Sequence, residues 1–377
     1  MSQIIHISVA VPRYPATQTE IRDAFGRRFP LEGRRLAAAL AYFDAAGIDT
    51  RYGVLPLSAL TSPRTLSETM RLYSESARDL SEEVCRNCLT DSATAPHEID
   101  LVISVSCTGI MLPSLDAFLI DSLGLRRDVR RLPITELGCV AGAAALARAH
   151  DFLLGHPRGR VLVVAVELPS LNFQPLDVSV DNLVSSAIFG DGAAAVLMTG
   201  RELRPVPASA ASSSAPGPAP APPRSRLGPV QLPLEVVGVR CHTIPGSTQA
   251  LGFDLRDDGF HSVLSRDIPA LLRSAAGELF SQLARQGEAT LRDLRAFVLH
   301  PGGKRILTAL QEALGLSPDD VRPSWEVLRR YGNQSSASVL FVLNEWMTGT
   351  RPAPGTLGGL AAFGPGLTAE SVLLRWT

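Results

Sequence analysis

A cysteine, a histidine and an asparagine, far apart in the chain, carry the side chains best suited to chemistry. Cys139 sits within residues 132–150, LPITELGCVAGAAALARAH. That stretch reads as a strand, a tight turn at Gly138 and a helix of small, strong helix formers. A thiol placed there lies at a helix N-terminus, whose partial positive charge and free N–H groups favour the thiolate. His300 closes the apolar run RAFVLHPGG, which sets an imidazole at a strand tip before a freely turning Pro-Gly-Gly. Asn333, in YGNQSSASVLFVL, can project from a helix start. Together they suit acyl transfer from a thioester. The thiolate attacks, a protonated imidazole holds it as an ion pair, and Asn and His donate to a developing oxyanion or enolate. Taken singly, each has a plainer reading: a buried structural cysteine, a satisfied core histidine, a helix N-cap.

Alternating strands and helices must bring these three together. Near-continuous apolar runs at 100–106, 160–166 and 294–299 read as strands covered on both faces. Residues 4–11, 131–135, 357–363 and 367–376 also read as strands. Helical spacing covers 17–28, 33–46, 67–90, 262–286, 302–314 and 333–348, and a further helix starts at Pro113. Residues 169–182 read as a loop. Such alternation favours a layered α/β fold, with each half delivering a polar residue from a buried strand into a turn. Between the halves, Pro, Ala and Ser fill 19 of the 26 positions in 204–229, too few apolar groups to build a core. This segment reads as a surface insertion, with strand-like flanks at 193–198 and 234–239 able to pair across it. The expected organisation is an N-terminal half over 1–200, the insertion over 204–229 and a C-terminal half over 230–377.

Composition narrows the class. The 377 residues are 45% hydrophobic and 19% charged, enough for a large core. With a formal net charge of −1, no basic patch points to nucleic acid. No apolar run reaches the roughly 18 residues of a membrane span, and the N-terminus lacks a signal-peptide pattern, so a cytoplasmic protein is expected. Five cysteines, an odd number, argue against a disulfide framework. Cys85 and Cys88 form a CxxC inside a long helix, with no second pair placed to complete a zinc site.

At this point the residues resemble a known family. GCVAG with Cys139, IFGDGAA with Phe189, VLHPGG with His300, YGNQSSASVLF with Asn333 and FGPGLTAE at 363–370 are similar, in order, to the type III polyketide synthases, the chalcone synthase-like enzymes. The resemblance runs from about residue 4 to 376, the insertion apart. It implies a thiolase fold of five αβαβα layers built from two similar halves, a homodimer, and coenzyme A thioesters as substrates with no cofactor. It also implies that Cys139 carries the starter and the growing chain, that His300 and Asn333 promote malonyl-CoA decarboxylation, and that Phe189 is the gate between the CoA tunnel and the cavity. By the same resemblance Cys107, Asn172 and Ser335 line the cavity, and Leu112, with Pro113, reaches across the dimer to the partner's cavity.

Several positions depart from the plant members. Ser262 aligns near a second gate phenylalanine, and Phe253 stands where a glycine is usual. Ala38, Ala41 and Ala45 align with basic residues that hold CoA phosphates. Lys304 and Arg305, with Gly302 and Gly303 at the start of the helix after His300, are the candidates to replace them. For the product, GCVAGAAALARAHDFL, VELPSLNF and FDLRDDGFHSVLSRDIP look most like bacterial synthases making alkylpyrones or alkylresorcinols from fatty acyl-CoA starters. The alternative is a tetrahydroxynaphthalene synthase using malonyl-CoA alone, which SCTGIMLPSL resembles. A third reading is a single condensation of the ketoacyl-ACP synthase III kind, although that group carries Gln-Ala-Asn where this chain has Pro301-Gly302-Gly303.

Overall fold

The computed structural model describes residues 1–203, 233–349 and 351–377. Its strands, in chain order, are β1 (Ser2–Ala10), β2 (Tyr14–Thr17), β3 (Thr50–Gly53), β4 (Leu101–Val105), β5 (Arg130–Ile134), β6 (Arg160–Glu167), β7 (Gly192–Gly200), β8 (Leu234–Thr243), β9 (Leu251–Arg256), β10 (Gly259–Leu264), β11 (Leu294–Leu299), β12 (Leu357–Gly364) and β13 (Thr368–Trp376). Nine of them form one sheet in the order β11-β12-β13-β8-β1-β7-β6-β4-β5, and β2/β3 and β9/β10 form separate pairs. The two sides of this sheet repeat one pattern. In the first, β1 runs antiparallel to β7, β7 antiparallel to β6, and β6 parallel to β4. In the second, β8 runs antiparallel to β13, β13 antiparallel to β12, and β12 parallel to β11. β1 and β8 join the sides, antiparallel.

Side-chain alternation along the strands sorts the core into layers. On β4 and β6, Leu101, Ile103, Val105, Val161, Val163 and Ala165 point to a central core; Val102, Leu162, Val164 and Val166 point to an outer one. On the other side, Ala296, Val298, Leu360 and Ala362 share that central core, while Phe297, Leu299, Ala361 and Phe363 face a second outer one. The central core is filled by two helices, Ala141–Gly155 and Ser338–Thr348. The outer cores are covered by Leu66–Asp91 with Leu115–Leu123, and by Ile268–Ala284 with Lys304–Leu314. The result is five layers, αβαβα.

Three local expectations are corrected. β7 and β8 do not pair across the 204–229 segment, which lies outside the described residues; β1 is hydrogen-bonded between them. Residues 262–264 are not the start of a helix but the end of the β9–β10 hairpin, where Ser262 pairs with Phe253. The helix begins instead at Ile268, with Pro269 in its first turn, where a missing N–H costs nothing. Residues 180–182 are not loop: a helix spans Val180–Ile188, capped by the Ser179 hydroxyl accepting from the Asn182 N–H. Its β-branched start, VSVDNLV, masks helical spacing in the sequence.

The two inner helices approach closely because of one glycine. A Cβ on Gly142 would lie 2.1 Å from the Ser336 carbonyl oxygen. Gly277, inside the Ile268–Ala284 helix, has nothing within 4 Å of the corresponding point. Gly142→Ala is therefore expected to lower unfolding free energy by about 1–3 kcal/mol through overpacking. Gly277→Ala should raise it by about 0.5–1 kcal/mol through the lost freedom of the unfolded chain. Urea unfolding followed by circular dichroism checks both signs.

Candidate active site

β5 ends at Ile134 and the chain turns through Gly138, whose φ of +58° lies in the left-handed region. A Cβ there would also meet Pro365 at 2.5 Å, so only glycine fits. Cys139 follows in a short 3-10 turn, Gly138–Val140, that runs into the Ala141–Gly155 helix. His300 continues the β11–β12 pairing through its N–H to Ala361 O at 2.9 Å. The chain then reverses through buried Gly302 and Gly303, and Gly303 adopts φ +147° before the Lys304–Leu314 helix. A Cβ on Gly302 would press on the imidazole, 3.3 Å from His300 Cδ2.

Asn333 is held differently from a helix cap. It forms an isolated parallel bridge with Phe189: its N–H donates to Ile188 O at 2.8 Å, and its carbonyl accepts from Gly190 N–H at 3.0 Å. Its side-chain Oδ1 accepts from the Ser335 N–H at 2.8 Å, and Nδ2 donates to Gly302 O at 3.3 Å. The carboxamide is thus tied to the same turn that follows His300.

Cys139, His300 and Asn333 line one cavity of about 660 Å³ together with Phe189, Phe253 and Ser262. A second cavity, of about 890 Å³, contains Cys107 and Asn172 and shares Phe189, Phe253 and Ser262 with the first. Ser335 bridges the two thiols: Cys139 Sγ donates to its hydroxyl at 3.5 Å, and Cys107 Sγ lies 3.2 Å from the same oxygen. Behind them stands Glu167, fully buried at the end of β6. It accepts from Thr108 Oγ1 at 2.7 Å, from Cys107 N–H at 3.1 Å and from the Ser336 hydroxyl. Sequence reasoning missed Glu167, although RVLVVAVE is a signal of the kind that marks His300: a polar residue closing an apolar strand.

Burial, not the helix terminus, dominates the electrostatics. Cys139 is half-buried, its exposed part turned to the cavity. Enclosure by protein raises its pKa to about 11, with the Ser335 hydrogen bond opposing the rise. Burial likewise lowers His300 to about 3, and neither ring nitrogen has a hydrogen-bond partner. Desolvation thus works against the charged form of both groups, and so against the thiolate and imidazolium expected from the helix N-terminus and the Cys–His pair. Cys107 is pushed well above the ordinary thiol value by burial and then by Glu167.

The remaining expected residues fall elsewhere. Leu112 is 93% exposed on the single chain and lines neither cavity of that chain. Lys304 and Arg305 are exposed at the start of the helix after Gly303, outside the cavity lining, with the Lys304 Cδ 3.7 Å from where a Gly47 Cβ would sit. Cys85 and Cys88 are buried in the outer core, and among the described residues no group of His, Cys, Asp and Glu is placed to hold a metal ion.

With this geometry in hand, comparison with known proteins is specific. Residues 4–201 match the N-terminal domain of chalcone and stilbene synthases, and 235–377 match their C-terminal domain. The 1,3,6,8-tetrahydroxynaphthalene synthase of Streptomyces peucetius subsp. caesius is 35% identical over 376 residues, covering 100% of this chain and 93% of the relative. Phloroglucinol synthase of Pseudomonas fluorescens is 30% identical over 377 residues, covering 100% of each. The crystal structure of the tetrahydroxynaphthalene synthase of Streptomyces coelicolor A3(2), a bacterial type III polyketide synthase, superposes with a TM-score of 0.86 at 32% identity, covering 100% of this chain and 99% of that one. The chain belongs to the chalcone and stilbene synthase family and has the thiolase fold. It is a type III polyketide synthase, an acyl-transferring condensing enzyme.

A neutral, buried His300 makes stability depend on pH with a definite sign. Between its ordinary value of 6.5 and its folded value of about 3, the unfolded chain binds a proton that the folded chain does not. This contribution is present in full above pH 6.5 and is lost as pH falls, by at most about 1.4 kcal/mol per unit. The unfolding free energy of wild type should therefore drop more steeply than that of His300→Asn on acidification from pH 7 to pH 4, measured by chemical denaturation; parallel slopes would show that His300 already carries its proton in the folded state.

Proposed function

We propose that Cys139 is the acyl-carrying nucleophile of a synthase that builds its product from malonyl-CoA alone and closes it to an oxygen-rich aromatic, as the names of the tetrahydroxynaphthalene synthases describe for those relatives. The observation that carries this reading is Asn172. Its Nδ2 donates to Thr108 O at 2.7 Å, which leaves Oδ1 buried and without a donor on a residue that lines the second cavity. An unsatisfied buried acceptor costs about 1–3 kcal/mol. A poly-β-keto chain in its enol form supplies the missing O–H; a hydrocarbon chain does not.

In the reaction, loss of CO₂ from malonyl-CoA leaves an enolate whose oxygen accepts hydrogen bonds from Asn333 Nδ2 and a protonated His300. The enolate carbon attacks the thioester on Cys139, forms the new C–C bond and expels the thiolate. His300 then receives or returns the Cys139 proton as each acyl transfer requires. Cys107, Ser335, Asn172, Phe253 and Ser262 shape the chamber, and Phe189 stands between it and the entry side. Lys304 and Arg305, with the free N–H groups behind Gly302 and Gly303, hold the CoA phosphates. The chain works as a homodimer in which Leu112 packs against the partner's cavity.

A second reading keeps a fatty acyl-CoA starter. It is favoured by the far end of the second cavity, where Ile21, Phe25, Leu57, Leu60 and Phe173 form an apolar pocket.

Incubation with radiolabelled malonyl-CoA as sole thioester separates the two. Labelled products made only of malonyl units are expected, absent in Cys139→Ala, which retains slow CO₂ release. Product that forms only after a long acyl-CoA is added would establish the fatty-acyl reading. Lys304→Ala is expected to raise the malonyl-CoA KM several-fold with kcat nearly unchanged, the pattern of lost uniform binding; an unaltered KM would remove Lys304 from the CoA site.

A further inference from the structure

The gate helix, Val180–Ile188, ends inside the protein, so its last carbonyls need donors other than water. Each has one. Ser185 O accepts from Phe189 N–H at 3.0 Å, and Ile188 O accepts from Asn333 N–H at 2.8 Å. Ala187 O accepts from Gln18 Nε2 at 2.9 Å. Ser186 O and Phe189 O both accept from one nitrogen, Arg51 Nη1, at 2.8 and 2.6 Å. Arg51 Nε in turn donates to Gln18 Oε1 at 3.1 Å, so the two side chains form one clamp.

This clamp is built in, not draped over the surface. Arg51 is 5% exposed and Gln18 8%. Burial lowers Arg51 to about 9, which leaves it charged at neutral pH, and a cation at a helix C-terminus complements the helix dipole. Two glycines make room for its stem. A Cβ on Gly332 would lie 3.0 Å from Arg51 Cγ and 2.7 Å from Ile188 O; one on Gly190 would lie 3.3 Å from Arg51 Cβ. These glycines flank the Phe189–Asn333 bridge, so the Arg51 stem is wedged beneath the rung that joins gate to carboxamide.

We infer that Arg51, with Gln18, is the positioning residue that sets the Phe189 gate and the Asn333 carboxamide against each other, and thereby determines how far a chain is extended before release. The inference rests on the roles proposed above for Phe189 and Asn333. Arg51 touches no reacting atom in this account. It acts because Phe189 lines both cavities while Asn333 shares its backbone hydrogen bonds. If the Ser186 and Phe189 carbonyls lose their donor, the gate and the enolate-binding amide shift together. Decarboxylation, which needs only malonyl-CoA near Asn333 and His300, then continues, while transfer to a correctly held chain fails more often.

The test compares Arg51→Lys, which keeps the charge and loses the fork, Gln18→Leu, which removes the second half of the clamp, and Val84→Ala, a packing defect in the outer core. Four quantities are read: CO₂ released per finished product, product chain lengths by mass spectrometry, the malonyl-CoA KM and the melting temperature. Arg51→Lys and Gln18→Leu should raise CO₂ per product several-fold and give truncated products, with KM within about twofold of wild type. Val84→Ala should lower the melting temperature and leave the ratio and product lengths unchanged. Folded clamp variants with wild-type ratio and product lengths, or with all rates reduced in common, would overturn the inference. Should Arg51→Lys fail to fold, Gln18→Leu alone decides. Loss of condensation in Cys139→Ala tests the underlying site assignment separately.

Discussion

The site exists because one helix is allowed to touch a neighbouring loop without a side chain between them. Gly142, the second residue of the Ala141–Gly155 helix, abuts the Ser336 carbonyl so closely that a methyl group would occupy the same space. Cys139 belongs to the first repeat of the sheet, Ser335 and Asn333 to the second. The contact brings Cys139 Sγ within hydrogen-bond reach of Ser335, and places His300 and Asn333 on the wall of the cavity that holds Cys139. The run of alanines around Gly142 extends the same logic: Ala141 through Ala145 are all buried, so small side chains face every neighbour of this part of the helix. A larger residue at Gly142 would push this helix from the Ser336 carbonyl, and with it Cys139 from Ser335.

Bringing these groups into a protein-walled chamber has an electrostatic consequence. Removing a charge from water is costly unless a partner replaces the water. Cys139 is offered only a hydroxyl and a carboxamide, and His300 has no partner at either nitrogen. Burial therefore disfavours both the thiolate and the imidazolium in the free protein. An incoming thioester with a carboxylate changes the balance, since a negative charge beside His300 favours the imidazolium. The unpartnered ring nitrogens thus suit a proton carrier better than a permanent half of an ion pair. Glu167, also buried and raised by burial, buttresses the thiol wall through five neighbouring donors.

Much of this was legible in the sequence, for reasons that differ by residue. Cys139 and His300 announce themselves because each sits at a glycine turn beyond a strand, Cys139 just after Gly138 and His300 just before Gly302 and Gly303. The buried strands at 101–105, 160–167 and 294–299 were readable because both faces are covered and no polar alternation dilutes them. The β9–β10 hairpin was not, since LGFDLR and GFHSVL mix polar and apolar residues and run straight into helix-forming sequence. The seat of Asn333 was hidden more deeply. Its neighbours Ser335, Ser336 and Ser338 suggest a cap, whereas its partner is the Phe189 backbone, set by a contact across 144 positions that leaves no local pattern. Arg51 and Gln18 were invisible for the same reason: a buried arginine satisfying carbonyls has no spacing rule to betray it.

The hairpin explains one departure from the plant pattern that sequence alone left as two unrelated changes. Ser262 stands near the position of an expected gate phenylalanine, and Phe253 where a small residue is usual. In the structure these two are direct register partners across β9 and β10. Opposed residues on antiparallel strands project to the same face, and both side chains line both cavities. The aromatic ring has in effect crossed the hairpin from one strand to its rung partner, where it meets Phe260 edge-on with ring centroids 6.3 Å apart. The gate is therefore not simply opened at Ser262. Bulk is conserved over the rung and displaced by one strand spacing, roughly 5 Å, which redirects the chamber rather than enlarging it. Ser262 thus stands on the lining shared by the cavity of Cys139 and the cavity of Cys107 and Asn172, where the hydrogen-bonding side chains of the second wall begin.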